Sequence, residues 1–136
     1  MQTSIVVVTH GNWGRALVQV AQEISGKQEG LLSESLALDE SPEKLEQRLS
    51  ELADKRGGLK SVLFLVDLKG GTPWNVVLRL GKAQNVNCVS GLNMPMLLEA
   101  VLRRSEMSPA ELAIAVAEAG KTGVVNSDVI LRGIRR

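Results

Sequence analysis

The run Ser4-Ile5-Val6-Val7-Val8-Thr9-His10-Gly11 places four apolar β-branched residues side by side and ends on the only histidine of the chain. A strand with one wet face alternates apolar and polar residues. A run that does not alternate is buried on both faces, as in a parallel sheet covered by helices. Ligands of such sheets bind beyond the carboxyl ends of the strands. His10 therefore stands at the end of the sheet where an open α/β protein does its chemistry, with Gly11 turning the chain immediately after it.

Working outward, the rest of the chain repeats the strand–helix alternation. Asn12 to Ser25 carries Ala16, Leu17, Val20, Ala21 and Ile24 at helical spacing, with a stop at Gly26. Ser35 to Leu38 reads as a second, less buried strand. Ser41-Pro42 is a cap followed by proline, opening a helix with Leu45, Leu49, Leu52 and Ala53 that ends at Gly57-Gly58. Val62 to Val66 is a third strand, as apolar as the first, and it runs into Asp67. Gly70-Gly71-Thr72-Pro73 then turns into a helix, with Thr72 as the expected cap. Asn87 to Ser90 is a short fourth strand, and Gly91-Leu92-Asn93-Met94-Pro95 turns into an apolar helix over 96–103. Ser108-Pro109-Ala110-Glu111 is a capping box whose helix ends at Gly120. Val124 to Leu131 reads as a possible final edge strand.

No linker or repeat interrupts this pattern, and 136 residues suit one domain, 1–136, with one core. The expected fold is a doubly wound, mostly parallel four-stranded α/β sheet in the order 2-1-3-4, with helices on both faces. Strands one and three are then central neighbours, and His10 and Asp67 share the crevice at their carboxyl ends.

Composition narrows the function. Lys and Arg number 16 against 15 Asp and Glu, with no Tyr and one Phe. That balance argues against nucleic-acid binding by bulk charge or by base stacking, and the basic tail from Arg132 to Arg136 reads as a solvated terminus. No apolar run is long enough to span a bilayer, and no leader is apparent, so a cytoplasmic protein without membrane insertion is expected. Cys88 is alone, so neither a disulfide framework nor a cysteine-based metal site is expected.

A lone histidine is commonly incidental, but its position at the strand tip argues for chemistry. One nitrogen of a neutral imidazole is a good nucleophile when the other gives its proton to an acceptor. Asp67 can accept that proton, fix the tautomer and offset the charge that grows as the far nitrogen attacks; otherwise it caps a turn. With no second histidine and no serine in a nucleophile elbow, hydrolysis by a triad is not indicated. Gly70, Gly71 and Thr72 offer backbone N–H groups, a hydroxyl and a helix N-terminus, which suits a phosphate, unless the loop is a plain turn. It is not a P-loop, and Gly11-Asn12-Trp13-Gly14 is not a dinucleotide fingerprint. The charge would be held by donors, with neither metal nor cofactor.

Three segments, Thr9-His10-Gly11, Asp67-Leu68-Lys69-Gly70-Gly71-Thr72-Pro73-Trp74-Asn75 and Gly91-Leu92-Asn93-Met94-Pro95-Met96-Leu97-Leu98-Glu99, together resemble the mannose-family IIA component of the bacterial phosphoenolpyruvate-dependent sugar phosphotransferase system. The resemblance runs in order over nearly the whole chain. It implies a cytoplasmic homodimer whose histidine, matching His10, receives phosphate from HPr and passes it to a IIB component. The family's orienting aspartate falls on Asp67 and its hydroxyl residue on Thr72. In that family the C-terminal strand can cross to the partner subunit, which would suit Val124 to Leu131. Lys69 departs from the usual apolar or aromatic residue, and either favours the phosphorylated ring or partner choice, or faces solvent. Trp13 and Trp74 are bulky for the crevice, and with Pro95 are candidates for partner contact or for packing. Two other functions are compatible with these residues: a regulatory module switched by phosphorylation of His10, and a flavodoxin-like binder of nucleotide or flavin.

Overall fold

The computed structural model describes residues 2–82 and 85–135, the side chains of 134 and 135 excepted. Four parallel strands, β1 (Ser4–His10), β2 (Leu31–Leu36), β3 (Val62–Val66) and β4 (Asn87–Val89), form one sheet in the order β2-β1-β3-β4. Between and after them come α1 (Trp13–Ser25), α2 (Pro42–Lys55), a 3₁₀ turn (Leu59–Ser61), α3 (Thr72–Leu80), α4 (Met94–Arg103), α5 (Pro109–Thr122) and α6 (Ser127–Arg135). This is the expected doubly wound α/β sheet and strand order.

The unalternating runs behave as read. Every residue of β3, and every residue of β1 except His10, is buried. Ile5, Val7, Leu63 and Leu65 face α1, α4 and α5 through Val18, Ala21, Leu97, Ala100, Leu112 and Val116. Val6, Val8, Val62, Phe64 and Val66 face α2 and α3 through Leu45, Leu49, Val76 and Val77. Each fully buried large apolar side chain contributes about 1.5–3 kcal/mol. Removing either layer of helices would therefore leave the sheet unsupported.

Four local expectations change. The second strand begins at Leu31, earlier than Ser35. Its period was hidden because Glu34 stands between Leu32 and Leu36, with its carboxylate bound by Arg48 of α2 at 3.0 Å. Gly120 is not a stop but an interior residue of α5. A Cβ there would lie 2.9 Å from Met96 Cε and 3.5 Å from Asn93 Oδ1, so glycine permits α4 and α5 to approach closely. Gly71, rather than Thr72, is the N-cap of α3: it is extended, and its carbonyl takes the first helical bond, from Asn75 N–H at 3.0 Å. The fourth change is at the C-terminus. The segment read as an edge or swapped strand from Val124 to Leu131 is exposed and becomes helical from Ser127. A helix satisfies its own backbone where no strand is beside it. Asn126 Oδ1 accepts Asp128 N–H at 3.0 Å, and Arg132 pairs with Asp128 at 2.9 Å one turn apart.

Candidate functional site

Strand register brings the first two site residues together. Val8 of β1 pairs with Val66 of β3, so the two residues by which β1 outruns its neighbour carry His10 past the point where Asp67 leaves β3. Because side chains alternate along a strand, His10 points to the α2–α3 face that Val6 and Val8 occupy, and there it meets Asp67. Asp67 Oδ2 accepts two hydrogen bonds from one residue, from the His10 backbone N–H at 2.9 Å and from ring Nδ1–H at 2.8 Å.

Burial alone pushes the Asp67 carboxyl up, but the His10 bonds outweigh it and hold the group below the usual carboxylate range. Oδ2 is thus an ionised acceptor, so Nδ1–H is the donor of the 2.8 Å bond, and in the neutral form of the ring this leaves the lone pair on Nε2. The ring side chain is 47% exposed while that of Asp67 is 10% exposed, so the nucleophilic edge is open and the orienting group is shielded. Asp67 Oδ1 is buried with no partner among the described residues, so both bonds fall on the oxygen that faces the ring.

The start of α3 lies against the ring. A Cβ on Gly71 would sit 2.9 Å from His10 Cε1 and 3.5 Å from Nε2, with the Leu68 carbonyl 3.3 Å away. The glycine is therefore required by the ring's place. Gly71, expected to offer a donor N–H, spends that group on the Leu68 carbonyl at 3.1 Å. Instead, the N–H groups of Thr72 and Trp74 are without a partner among the described residues, and no side chain caps the helix. Gly70 makes the turn with φ +84°, and its carbonyl accepts from Asn75 Nδ2 at 3.4 Å. The free donors and the positive end of α3 thus begin at the residue that lies against the Cε1–Nε2 edge of the ring.

The remaining candidates separate. Lys69 is exposed with no carboxylate within 4 Å among the described residues. Trp13 is 44% exposed at the first position of α1, whereas Trp74 packs against the α2–α3 layer. Pro95 is half-buried against the end of α5, where a Cβ on Gly123 would lie 2.4 Å from its ring carbons. Cys88 is no rival nucleophile, because burial pushes its thiol up to about 12.

Fold and site together define a parallel α/β protein that presents one histidine to solvent on a carboxylate from the adjacent strand. The family model described as PTS system fructose IIA component matches residues 4–117, and the chain belongs to this family of sugar phosphotransferase-system IIA components. It is 32% identical over 126 residues to the mannose-specific EIIAB component of Escherichia coli strain K12, covering 91% of this chain and 39% of that protein. The chain therefore spans well under half of that relative. It is 27% identical over 110 residues to the fructose-specific EIIA component of Bacillus subtilis, covering 80% of this chain and 75% of the other. The crystal structure of a phosphotransferase-system EIIA component from Streptococcus agalactiae superposes with TM-score 0.85 at 29% identity, covering 93% of this chain and 98% of that one. The mannose/sorbose-specific IIA subunit from Enterococcus faecalis superposes with TM-score 0.83 at 26% identity, covering 93% and 95%. Among the described residues no helix is long and apolar enough to cross a membrane.

Proposed function

We propose that the protein is a phosphocarrier in which His10 Nε2 accepts a phosphoryl group from phospho-HPr and passes it to a IIB component. The observation that carries this reading is the 2.8 Å contact between His10 Nδ1 and Asp67 Oδ2 beside a ring that is 47% exposed. In the forward step the Nε2 lone pair forms a bond to phosphorus as the N–P bond of the donor histidine breaks, and the donor ring leaves with that electron pair. The His10 proton stays on Nδ1. The positive charge gained by the ring is offset by Asp67, which serves as orienting group. The Thr72 and Trp74 N–H groups, the Thr72 hydroxyl and the α3 dipole stabilise the phosphoryl oxygens. Gly70 and Gly71 shape the loop, one by its turn and the other by its missing side chain.

An open crevice suits protein donors and acceptors, since each must bring its own histidine to the ring. Trp13 and Lys69 are the exposed contacts we assign to those partners, with Lys69 supplying charge attraction. The Escherichia coli relative, named as an EIIAB component, supports IIB as the acceptor class. The same reading makes chain 1–136 a single cytoplasmic domain that pairs as a homodimer. The exposed apolar residues Val124, Val125, Val129, Ile130 and Leu131 are consistent with a second copy covering them.

Incubation with phosphoenolpyruvate, enzyme I and HPr tests the reading. We expect a base-stable, acid-labile phosphate on the wild-type protein and none on His10→Ala. Undiminished labelling of the variant would remove His10 from the mechanism.

A further inference from the structure

We propose that Thr9 is a positioning residue for His10, acting through the turn that follows the ring; this rests on the phosphocarrier reading. Thr9 is completely buried next to the exposed histidine. It points to the apolar layer that holds Ile5 and Val7, where a hydroxyl is costly unless it is hydrogen-bonded. Both of its functions are used: it donates to the Gly11 carbonyl at 2.8 Å and accepts from Gly14 N–H at 3.2 Å.

Gly14 is the second residue of α1, and its N–H has no partner inside the helix. Asn12, the formal N-cap, makes no capping bond, and its Oδ1 accepts instead from Ser35 Oγ at 3.4 Å. A hydroxyl from the preceding strand therefore does the capping. The approach is close: a Cβ on Gly14 would lie 2.7 Å from both Thr9 Cγ2 and Oγ1. From the other side Gly11, at φ +65°, donates its N–H to the Leu36 carbonyl of β2 at 3.0 Å. His10 thus hangs between the strand ladder before it and a turn tied down by Thr9 and Leu36 after it.

That restraint matters because His10 reaches a single atom twice. Its backbone N–H and its ring Nδ1–H must both point at Asp67 Oδ2. Rotation of the peptide between Thr9 and His10 lengthens one contact or the other, and the Nε2 lone pair swings with the ring. Valine has the shape of threonine but neither donates nor accepts. In its place the buried Gly14 N–H has no partner and the Gly11 carbonyl is released.

The test uses the full chain as wild type, Thr9→Val, Thr9→Ser and, as a control on the same buried face, Ile5→Val. The first measurement needs no phosphate: ¹⁵N NMR of the His10 ring reads the tautomer directly. The second is the rate of phosphoryl acceptance from phospho-HPr. We expect Thr9→Val to shift the ring from the Nδ1–H form towards a tautomer mixture and to slow acceptance about 10- to 100-fold. Thr9→Ser keeps the hydroxyl and should stay within about threefold of wild type. Ile5→Val should lower the unfolding midpoint and leave both measurements unchanged. Should Thr9→Val not fold, Thr9→Ala removes the hydroxyl with the same expectations. The proposal is overturned by a folded hydroxyl-free variant with wild-type tautomer and rate, or by Thr9→Ser falling as far as Thr9→Val. A wild-type protein that takes no phosphate would defeat the phosphocarrier reading, while the ring spectrum would still judge Thr9.

Discussion

The chain leaves β3 and enters α3 by nearly the same device with which it leaves β4 and enters α4. Each connection has a glycine at positive φ, Gly70 at +84° and Gly91 at +83°, and each helix has a proline in its first turn, Pro73 and Pro95. The difference lies at the cap. Asn93 closes α4, its Oδ1 accepting Met96 N–H at 3.0 Å while its Nδ2 donates to the Gly120 carbonyl at 3.0 Å. Gly71 stands at the equivalent place in α3 and has nothing with which to close it. Two loops of like construction thus have opposite uses: one spends its helix terminus on holding α5, and the other leaves it open beside His10. With glycine at the N-cap the open terminus gives up only about a few tenths of a kcal/mol of stability, and what it keeps is the set of free donors that the proposed function assigns to the phosphoryl oxygens.

Substitutions on the open side should act on transfer far more than on folding. Asp67→Asn retains a side-chain acceptor for the His10 backbone but loses the charge that sets the tautomer. It should slow phosphoryl acceptance by ~10²–10⁴ in rapid-quench measurements. An unchanged rate would reduce Asp67 to a turn residue. Gly71→Ala must move either the ring or the loop, given the 2.9 Å approach to His10 Cε1. We expect a loss of about 10- to 100-fold in the same assay, with a displaced His10 ring in the crystal structure of the variant. Thr72→Ala removes one neutral donor and should cost less, about two- to tenfold in transfer; no loss would take the hydroxyl out of the site.

The closed side should show the reverse. Asn93→Ala leaves the α4 terminus and the Gly120 carbonyl without their partner, and should lower the free energy of unfolding by about 0.5–2 kcal/mol. Denaturant titration measures that loss, and transfer by the folded fraction should match wild type. A transfer defect as large as that of Thr72→Ala would show that the two loops are not divided in this way.

Much of the site was legible because strand ends are legible. Two apolar runs too regular to be anything but buried strands end in His10 and Asp67, and the general rule for parallel sheets places both at one crevice. Gly71 was harder. Its residue type signals closeness to something, but that the neighbour is the His10 ring follows only from where α3 starts. Thr9 gave no signal, since a threonine in a strand is ordinary and its two bonds lie across a turn. Glu34 masked the period of β2 because its charge is answered by Arg48 from another element. The stripe from Val124 to Leu131 is short enough to suit either strand or helix, and a segment without a neighbour takes the form that bonds to itself.

By itself, then, the order of residues determined the alternation of strands and helices, the sheet that joins them and the pair of side chains brought to its carboxyl edge. These follow from hydrophobic periodicity and chain direction, which are local properties. Tertiary structure alone decided which N–H groups stay unbonded, which glycine lies against the His10 ring and which hydroxyl ties the turn that follows it. Those are matters of distances of about 3 Å between atoms far apart in the chain, and no local pattern encodes them.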